Sequence, residues 1–283
     1  MYDLQRFAAE GTTLTLTSHE PDASPTWMPS VLAVLLLINL GFLAINVASF
    51  ALFERVPEFL YVDEESSLPT WWSSTQLLLA GLLVGLVVVR NIVIRKSVGI
   101  LGLVALLLIV LSIDEMSALH ERTGVFLDRF LGDRRVSRFD VTGLWFVVIG
   151  VPFAVLVIVM LRLLSAFLAE VPGTRIRLLL GFAVLLSGAV GVEALTNFVI
   201  DVEMIPQRAE IGRYVLLAGI EELLEMSGGS LLLWASLGLV VNHRSTRGIL
   251  DQVRPLTAGD VAIRASGDGR LRASARRRAG MES

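Results

Sequence analysis

The sequence predicts an all-α membrane protein, a polytopic bundle of about six transmembrane helices. Of the 283 residues, 54% are hydrophobic and only 18% are charged, and the mean hydropathy is +0.70. Soluble domains average about 45–50% apolar and about 25% charged residues. The apolar residues also cluster into stretches of about 20 or more, which is the length that a helix needs to cross the hydrocarbon core of a bilayer.

The predicted spans follow one another along a single transmembrane domain, 29–242. They cover 29–53, 71–94, 97–121, 141–168, 175–200 and 212–242. The first span is longer than the apolar core of a signal peptide, which is about 7–15 residues, so we expect it to remain in the protein. The flanking segments 1–28 and 243–283 have too little apolar surface to fold alone and are predicted to be mostly disordered.

The distribution of basic residues predicts the orientation. With both termini in the cytoplasm, about twice as many Lys and Arg residues fall on the inner side as on the outer side, as the positive-inside rule requires. The acidic connection 54–70 then becomes a solvated outer loop. We expect a bacterial plasma membrane protein whose Arg-rich C-terminal tail lies on anionic lipid headgroups. No nucleic-acid partner is expected, and the sequence leaves the oligomeric state open.

The composition excludes several kinds of cofactor. The chain has no cysteine and only three histidines, so an iron–sulfur cluster, a thiol nucleophile and a haem with two histidine ligands are not expected. The only lysine, Lys96, stands in an Arg-Lys pair between two apolar runs. A retinal Schiff base inside the bundle is therefore not expected either.

Helix three ends in the sequence SIDEMSALHER, which brings ionisable side chains into an apolar span. Such residues are costly in a membrane and usually have a function. Helical periodicity places one group of them on or beside a common inner face. This group consists of Asp114, Ser117, His120 and Glu121. Glu115 lies apart from it, in line with Arg122, and we expect these two residues to form an ion pair.

Helices five and six add further acidic groups. In helix five, Glu193 and Asn197 lie one turn apart on one face, with Gly188 and Gly191 roughly opposite, where they are expected to permit close packing. Helix six contains IEELLEMSGG, and its polar side chains occupy one arc. They are Tyr214, Glu221, Glu222 and Glu225. With Gln76 at the outer start of helix two, these groups predict a cavity that opens outward and is sealed on the inner side.

Several carboxylates in a region of low dielectric cannot all stay ionised unless a cation or shared protons neutralise them. A zinc, manganese or iron ion suits oxygen ligands with one imidazole, and it would activate bound water. The predicted metal ligands are Asp114, Glu193, Glu222 and Glu225. The predicted general acid or base is His120 or Glu121. The predicted supporting residues are Ser117, Asn197, Tyr214, Glu221 and Gln76.

Two resemblances bear on this site. The segments LSIDEMSALHER and EELLEMSGGSLLL resemble a group of bacterial multi-pass membrane proteins with no assigned function, over about 70–242. The pair Glu221 and Glu222 is also similar to the double glutamate of CAAX-type intramembrane proteases, which implies a glutamate-activated water. The chain departs from that pattern, because Met226 stands at the arginine position and its one candidate histidine, His120, precedes the motif.

Three classes of function compete on this basis. The first is a metal-dependent enzyme that acts on a lipid or lipid-linked substrate. The second is a proton- or cation-coupled transporter, because chains of intramembrane acids also serve as proton relays. The third is a non-catalytic sensor or assembly subunit. The sequence leaves open whether the protein is an enzyme at all.

Overall fold

The protein is described by a computed structural model over residues 26–93, 99–130, 146–168, 173–199 and 208–242. Across these ranges the chain is helical, with short connections and no strand. The predicted all-α class is therefore confirmed. The predictions of disorder in the two terminal tails fall almost wholly on residues outside the described ranges.

Eight α-helices lie in the described parts of the chain. They are α1 (Met28–Phe53), α2 (Leu68–Val93), α3 (Gly99–Ser117), α4 (Leu119–Phe130), α5 (Val151–Leu168), α6 (Thr174–Leu186), α7 (Glu193–Val199) and α8 (Arg208–Asn242). A short 3-10 turn, Glu58–Leu60, lies between α1 and α2. Two π-helical segments complete the fold: Phe146–Gly150 leads into α5, and Ser187–Val192 joins α6 to α7.

Within the described ranges, five helical stretches are long and apolar enough to cross a membrane. They are Met28–Phe53, Leu68–Asn91, Gly99–Ser117, Thr174–Thr196 and Ile211–Val241. A sixth apolar stretch, Val148–Leu164, is shorter and falls on the predicted fourth span. Large apolar side chains such as Leu37, Leu52 and Leu163 remain exposed on the bundle surface, as expected for side chains that face lipid. The chain is thus a polytopic helical membrane protein.

Helix α8 is the centre of the bundle and contacts α1, α2 and α6. Glycines allow α6 and α8 to approach closely. A Cβ atom on Gly228 would lie 2.5 Å from the Cβ of Leu185, and one on Gly181 would lie 2.8 Å from the Cγ of Leu232. Small residues at such crossings let two backbones come together and are typical of membrane helix packing.

A buried chain of hydrogen bonds joins α1, α2 and α8 below the end of the bundle where α1 joins α2. The Trp72 indole donates to the Asn39 Oδ1 at 2.8 Å, and the Asn39 amide donates to the Ser230 hydroxyl at 3.0 Å. Ser230 in turn donates to the Oε1 of Gln76 at 2.5 Å. In an apolar bundle each of these polar groups needs a partner, so the chain fixes the relative register of the three helices.

The predicted third helix is interrupted. It ends at Ser117, Ala118 adopts a left-handed conformation with φ of 43°, and α4 starts at Leu119. The prediction of a continuous helix over 97–121 was therefore wrong. The sequence has no glycine at this position that would have indicated a break. The break redirects the chain and brings His120 back towards Asp114.

The predicted fifth helix also changes its geometry. Its π-helical segment, Ser187–Val192, follows an i to i+5 pattern, so residues five apart lie on the same side. Gly188 and Glu193 therefore both face α8, although regular α-helical periodicity placed them on opposite faces. A Cβ atom on Gly191 would meet nothing within 4 Å among the described residues. The predicted packing role is confirmed for Gly188 and wrong for Gly191.

Candidate active site at two adjoining cavities

An acidic cavity lies at the end of the bundle where α1 joins α2. About 60 Å³ is available to the centres of water molecules, which is room for a few waters at about 10–15 Å³ each. Eight of its twelve lining residues are carboxylates. The lining consists of Val62, Asp63, Glu64, Glu65, Thr70, Glu115, Ala118, His120, Glu193, Glu221, Glu222 and Glu225.

An apolar cavity of about 70 Å³ adjoins the acidic one. It lies between α2, α3, α5, α8 and the two π-helical segments, and its walls are mostly hydrocarbon. The lining consists of Leu77, Leu111, Asp114, Glu115, His120, Ile149, Gly150, Phe153, Leu185, Leu186, Ala189, Val190 and Glu225. Glu115, His120 and Glu225 line both cavities and form the boundary between them.

Asp114 and His120 form a dyad at this boundary. The His120 Nδ1 lies 2.7 Å from the Asp114 Oδ2, and the backbone N–H of His120 donates to the Asp114 Oδ1 at 3.0 Å. With Nδ1–H donating to the carboxylate, the neutral imidazole carries its lone pair on Nε2. The backbone bond also satisfies one of the first N–H groups of α4, which have no acceptor within their own helix. Asp114 therefore fixes both the start of α4 and the orientation of the ring.

The carboxyl groups of α7 and α8 lie together at the acidic cavity. Glu193, Glu221 and Glu225 all line it, and Glu225 also lines the apolar cavity with Glu115 and His120. Several carboxylates this close repel one another unless protons or a cation neutralise some of them.

The roof of the acidic cavity is the connection between α1 and α2. Tyr61 and Tyr214 both donate to the Oδ2 of Asp63, at 3.2 Å and 3.0 Å. Asp63 is exposed at the cavity surface, yet its pKa is raised to about 6, mainly because surrounding protein groups desolvate the carboxylate. The negative charges of Glu193 and Glu64 contribute to this rise, whereas the two tyrosine hydrogen bonds oppose it. Burial also raises the pKa of the Tyr61 hydroxyl.

The structure brings most of the predicted acidic residues together. His120, Glu193, Glu221, Glu222 and Glu225 all line the acidic cavity. Asp114 lines the apolar cavity and contacts His120. Tyr214, predicted to support the site, reaches it through Asp63.

Other predicted site residues lie elsewhere. Ser117 is half-buried and donates to the carbonyl oxygen of Ile113 within its own helix. Gln76 is buried in the hydrogen-bond chain with Ser230 and lines neither cavity. The side chains of Glu121 and Asn197 lie outside the described part of the structure, so their predicted roles stay predictions.

The ion pair expected between Glu115 and Arg122 was a wrong prediction. Glu115 lines both cavities, and the Arg122 Nη2 lies 2.8 Å from the Oε2 of Glu65. The break at Ala118 is the physical reason, since it removes the helical phase that aligned the two residues. Arg122 then ties α4 to the roof of the cavity.

The sequence analysis missed the acidic residues of the roof. Asp63, Glu64 and Glu65 were assigned to a solvated loop because their connection is rich in charges. The sequence nevertheless contained a signal, because Tyr61 and Val62 are apolar or aromatic side chains within this acidic connection, and such side chains tend to be buried. Val62 is 1% exposed.

The predicted metal site gains no support from this arrangement. Among the described residues, no three Asp, Glu or His side chains are placed so that they could hold one ion. Asp114 uses both carboxylate oxygens on His120, which makes it an orienting group here. The binding of zinc, manganese or iron therefore stays a prediction.

Comparison with known families gives one match. Residues 29–241 match the family described as a domain of unknown function, DUF8692. The chain belongs to this family. The match covers all six predicted spans and fits the resemblance to multi-pass proteins with no assigned function, and no link to the CAAX-type proteases emerges. Comparison with curated proteins and with solved structures gives no match.

Proposed function

We propose that this DUF8692 protein is a membrane enzyme that acts on a lipid or lipid-linked substrate. The observation that carries the proposal is the boundary shared by the two cavities, where the ring of His120 stands between hydrocarbon and carboxylates. An amphiphile would place its apolar chain against residues such as Phe153 and Leu111. Its polar group would lie among the acids, so that the bond between the two parts meets the imidazole.

The dyad supports acid–base chemistry at that bond. Histidine exchanges protons readily near neutral pH, and a carboxylate on Nδ1 orients the ring of a general base. In hydrolysis of an ester or amide, the Nε2 of His120 takes a proton from a water molecule. The water oxygen then bonds to the carbonyl carbon, the bond to the leaving group breaks, and the imidazolium returns the proton to that group.

The neighbouring acids support the same reaction. A carboxyl group that holds a proton can donate a hydrogen bond to a developing oxyanion, as a buried protonated acid does in other enzymes. Glu193 and Glu221 both line the acidic cavity, and Glu225 lines both cavities together with His120. These groups supply donors and a place for water without requiring a positively charged side chain.

Hydrolysis of acyl esters by the purified protein tests the proposal. We would assay fluorogenic umbelliferyl esters of increasing chain length in detergent micelles, for the wild type and for His120→Gln and Asp114→Asn. General-base catalysis contributes about 10²–10⁴-fold, so His120→Gln should lose at least 100-fold in kcat. Ser117→Ala, at a nearby position that lines neither cavity, serves as the matched control. Absence of turnover at every chain length, or equal rates in wild type and His120→Gln, would overturn the proposal.

A cation-coupled transporter is the second candidate, and the eight carboxylates of the acidic cavity favour it. Thermal melts with chelator and then with zinc, manganese or iron(II) separate the two, because a ligand that binds only the folded state raises Tm by mass action. A shift that Glu193→Gln and Glu222→Gln abolish, in a protein without esterase activity, would favour the transporter. The same result would also support the metal site predicted from the sequence.

A further inference from the structure

The roof of the acidic cavity is a thin segment of chain. It starts after α1 and ends at Ser67, just before α2, and four of its residues line the cavity: Val62, Asp63, Glu64 and Glu65. Val62 is buried below the segment, whereas Asp63, Glu64 and Ser66 are exposed. One layer of residues thus separates the cavity from the surroundings.

This segment is well organised within itself. The backbone N–H groups of Leu60, Tyr61, Glu64 and Ser67 each donate to a carbonyl oxygen three residues earlier. At its end, the Thr70 hydroxyl donates to the carbonyl oxygen of Glu64 at 2.8 Å, which anchors it to the start of α2. A segment with internal hydrogen bonds can move as a unit and needs no unfolding to do so.

Two polar contacts across the cavity hold the segment to other helices. Tyr214 on α8 donates to Asp63, and Arg122 on α4 pairs with Glu65. The side chains of that ion pair are 65% and 36% exposed, and an ion pair in water contributes little stability. The ion pair therefore contributes little to holding the segment against α4.

The start of the segment has the features of a hinge. Glu54, which ends α1, adopts a left-handed conformation with φ of 57°, a region that side chains other than glycine rarely occupy. Hinges are commonly a few residues at the ends of elements that absorb a change in φ and ψ. The other end, at Ser67 and Thr70, is fixed by hydrogen bonds.

We propose that residues 55–66 form a movable cover over the acidic cavity, latched by Asp63 to Tyr214 and by Glu65 to Arg122. Opening breaks both latches, lifts Val62 away from the cavity and admits the polar part of a ligand from the aqueous side. Closure returns three carboxylates to the site and limits its exchange with bulk water. The cover governs access alone, so it applies whether the cavity serves hydrolysis or cation binding.

Cysteine labelling tests the cover, because the chain has no native cysteine. We would measure the rate at which a water-soluble maleimide modifies Val62→Cys in the purified protein, with the exposed Ser66→Cys as the matched control. In the otherwise wild-type chain, Val62→Cys should react at least ten-fold more slowly than Ser66→Cys. Adding Tyr214→Phe and Arg122→Ala should accelerate Val62→Cys at least five-fold and leave Ser66→Cys unchanged.

Two results would overturn the cover. Equal, rapid labelling of both cysteines in the wild-type background would mean that the cavity is permanently open. Labelling of Val62→Cys that stays slow in the doubly unlatched chain would mean that the segment is fixed. If Val62→Cys does not fold, hydrogen–deuterium exchange replaces the labelling experiment. The amides of Leu60, Tyr61 and Glu64 should exchange at least five-fold faster in the doubly unlatched chain than in the wild type. Equal exchange rates would refute the proposal.

Discussion

The chemistry of the site depends on the conformation of a single residue, Ala118. Its left-handed φ of 43° ends α3 and places the N–H and the ring of His120 on the carboxylate of Asp114. For residues other than glycine this conformation costs about 1–2 kcal/mol, and such strain is often stored at functional sites. The dyad supplies two hydrogen bonds that offset the cost.

Glycine at position 118 should therefore stabilise the protein. Ala118→Gly relieves the left-handed strain, and we expect the free energy of unfolding to rise by up to about 1 kcal/mol. Ala51→Gly, at an exposed position inside α1, is the matched control and should lower it by about 1 kcal/mol. Thermal melts measure both variants. A loss of stability in Ala118→Gly comparable to the control would contradict the strained conformation.

Asp63 gives a prediction for pH. Its pKa rises from 3.8 to about 6 in the folded protein, so between these values the folded chain holds a proton that the unfolded chain has lost. The stabilising contribution is fully present below about pH 4, falls as the pH rises and is lost above about pH 6. Asp63→Asn cannot titrate, so the Tm difference between wild type and this variant should decline across that window and level off above it. A difference that grows with pH would contradict the raised pKa.

At the scale of the elements, two local changes in helix geometry build the site. The membrane constraint made the spans predictable, because about 20 consecutive apolar residues leave few alternatives. The directions of the side chains were less predictable. The π-helical segment Ser187–Val192 and the break at Ala118 each change the direction in which the side chains after them point, relative to a regular α-helix. Neither feature has a distinctive composition. The sequence therefore identified Glu193 and the acids of α8 as site residues and failed to pair Asp114 with His120.

The π-helical segment can be tested through its glycines. A Cβ atom on Gly188 would lie 2.8 Å from the carbonyl oxygen of Glu221 and 2.9 Å from the Cγ of Glu225, whereas one on Gly191 would meet nothing within 4 Å. Overpacking costs about 1–3 kcal/mol, so Gly188→Ala should lower the unfolding free energy by that amount. Gly191→Ala, the matched control, should leave it unchanged or raise it by up to about 1 kcal/mol. Urea titrations measure both, and equal effects would argue against the π-helical register.

At the scale of the whole molecule, the bundle separates polar from apolar interior. The apolar core of α2, α3, α5, α6 and α8 fills the end of the bundle away from the acidic cavity. Near the cavity, the connection from α1 to α2, the α3–α4 break and the π-helical segment converge on α8. The sequence predicted a polar half and an apolar half from the placement of its acids. The apolar cavity beside the acids was not predicted, because it arises from how several helices and both π-helical segments pack together.

The apolar cavity should select substrates by chain length. Ala189 lines it within the second π-helical segment, and Ala183, on the same helical stretch, is exposed on the bundle surface. A phenylalanine at 189 would fill space that the hydrocarbon chain of a substrate needs. Ala189→Phe should therefore reduce kcat/KM for long-chain umbelliferyl esters at least ten-fold and leave kcat/KM for short-chain esters within about two-fold of the wild type. Each factor of ten corresponds to about 1.4 kcal/mol of transition-state binding. Ala183→Phe adds the same bulk on the outside and should leave the chain-length profile unchanged. If both variants lower the rates for all chain lengths equally, the apolar cavity does not hold the substrate and the amphiphile would have to bind through the acidic cavity alone.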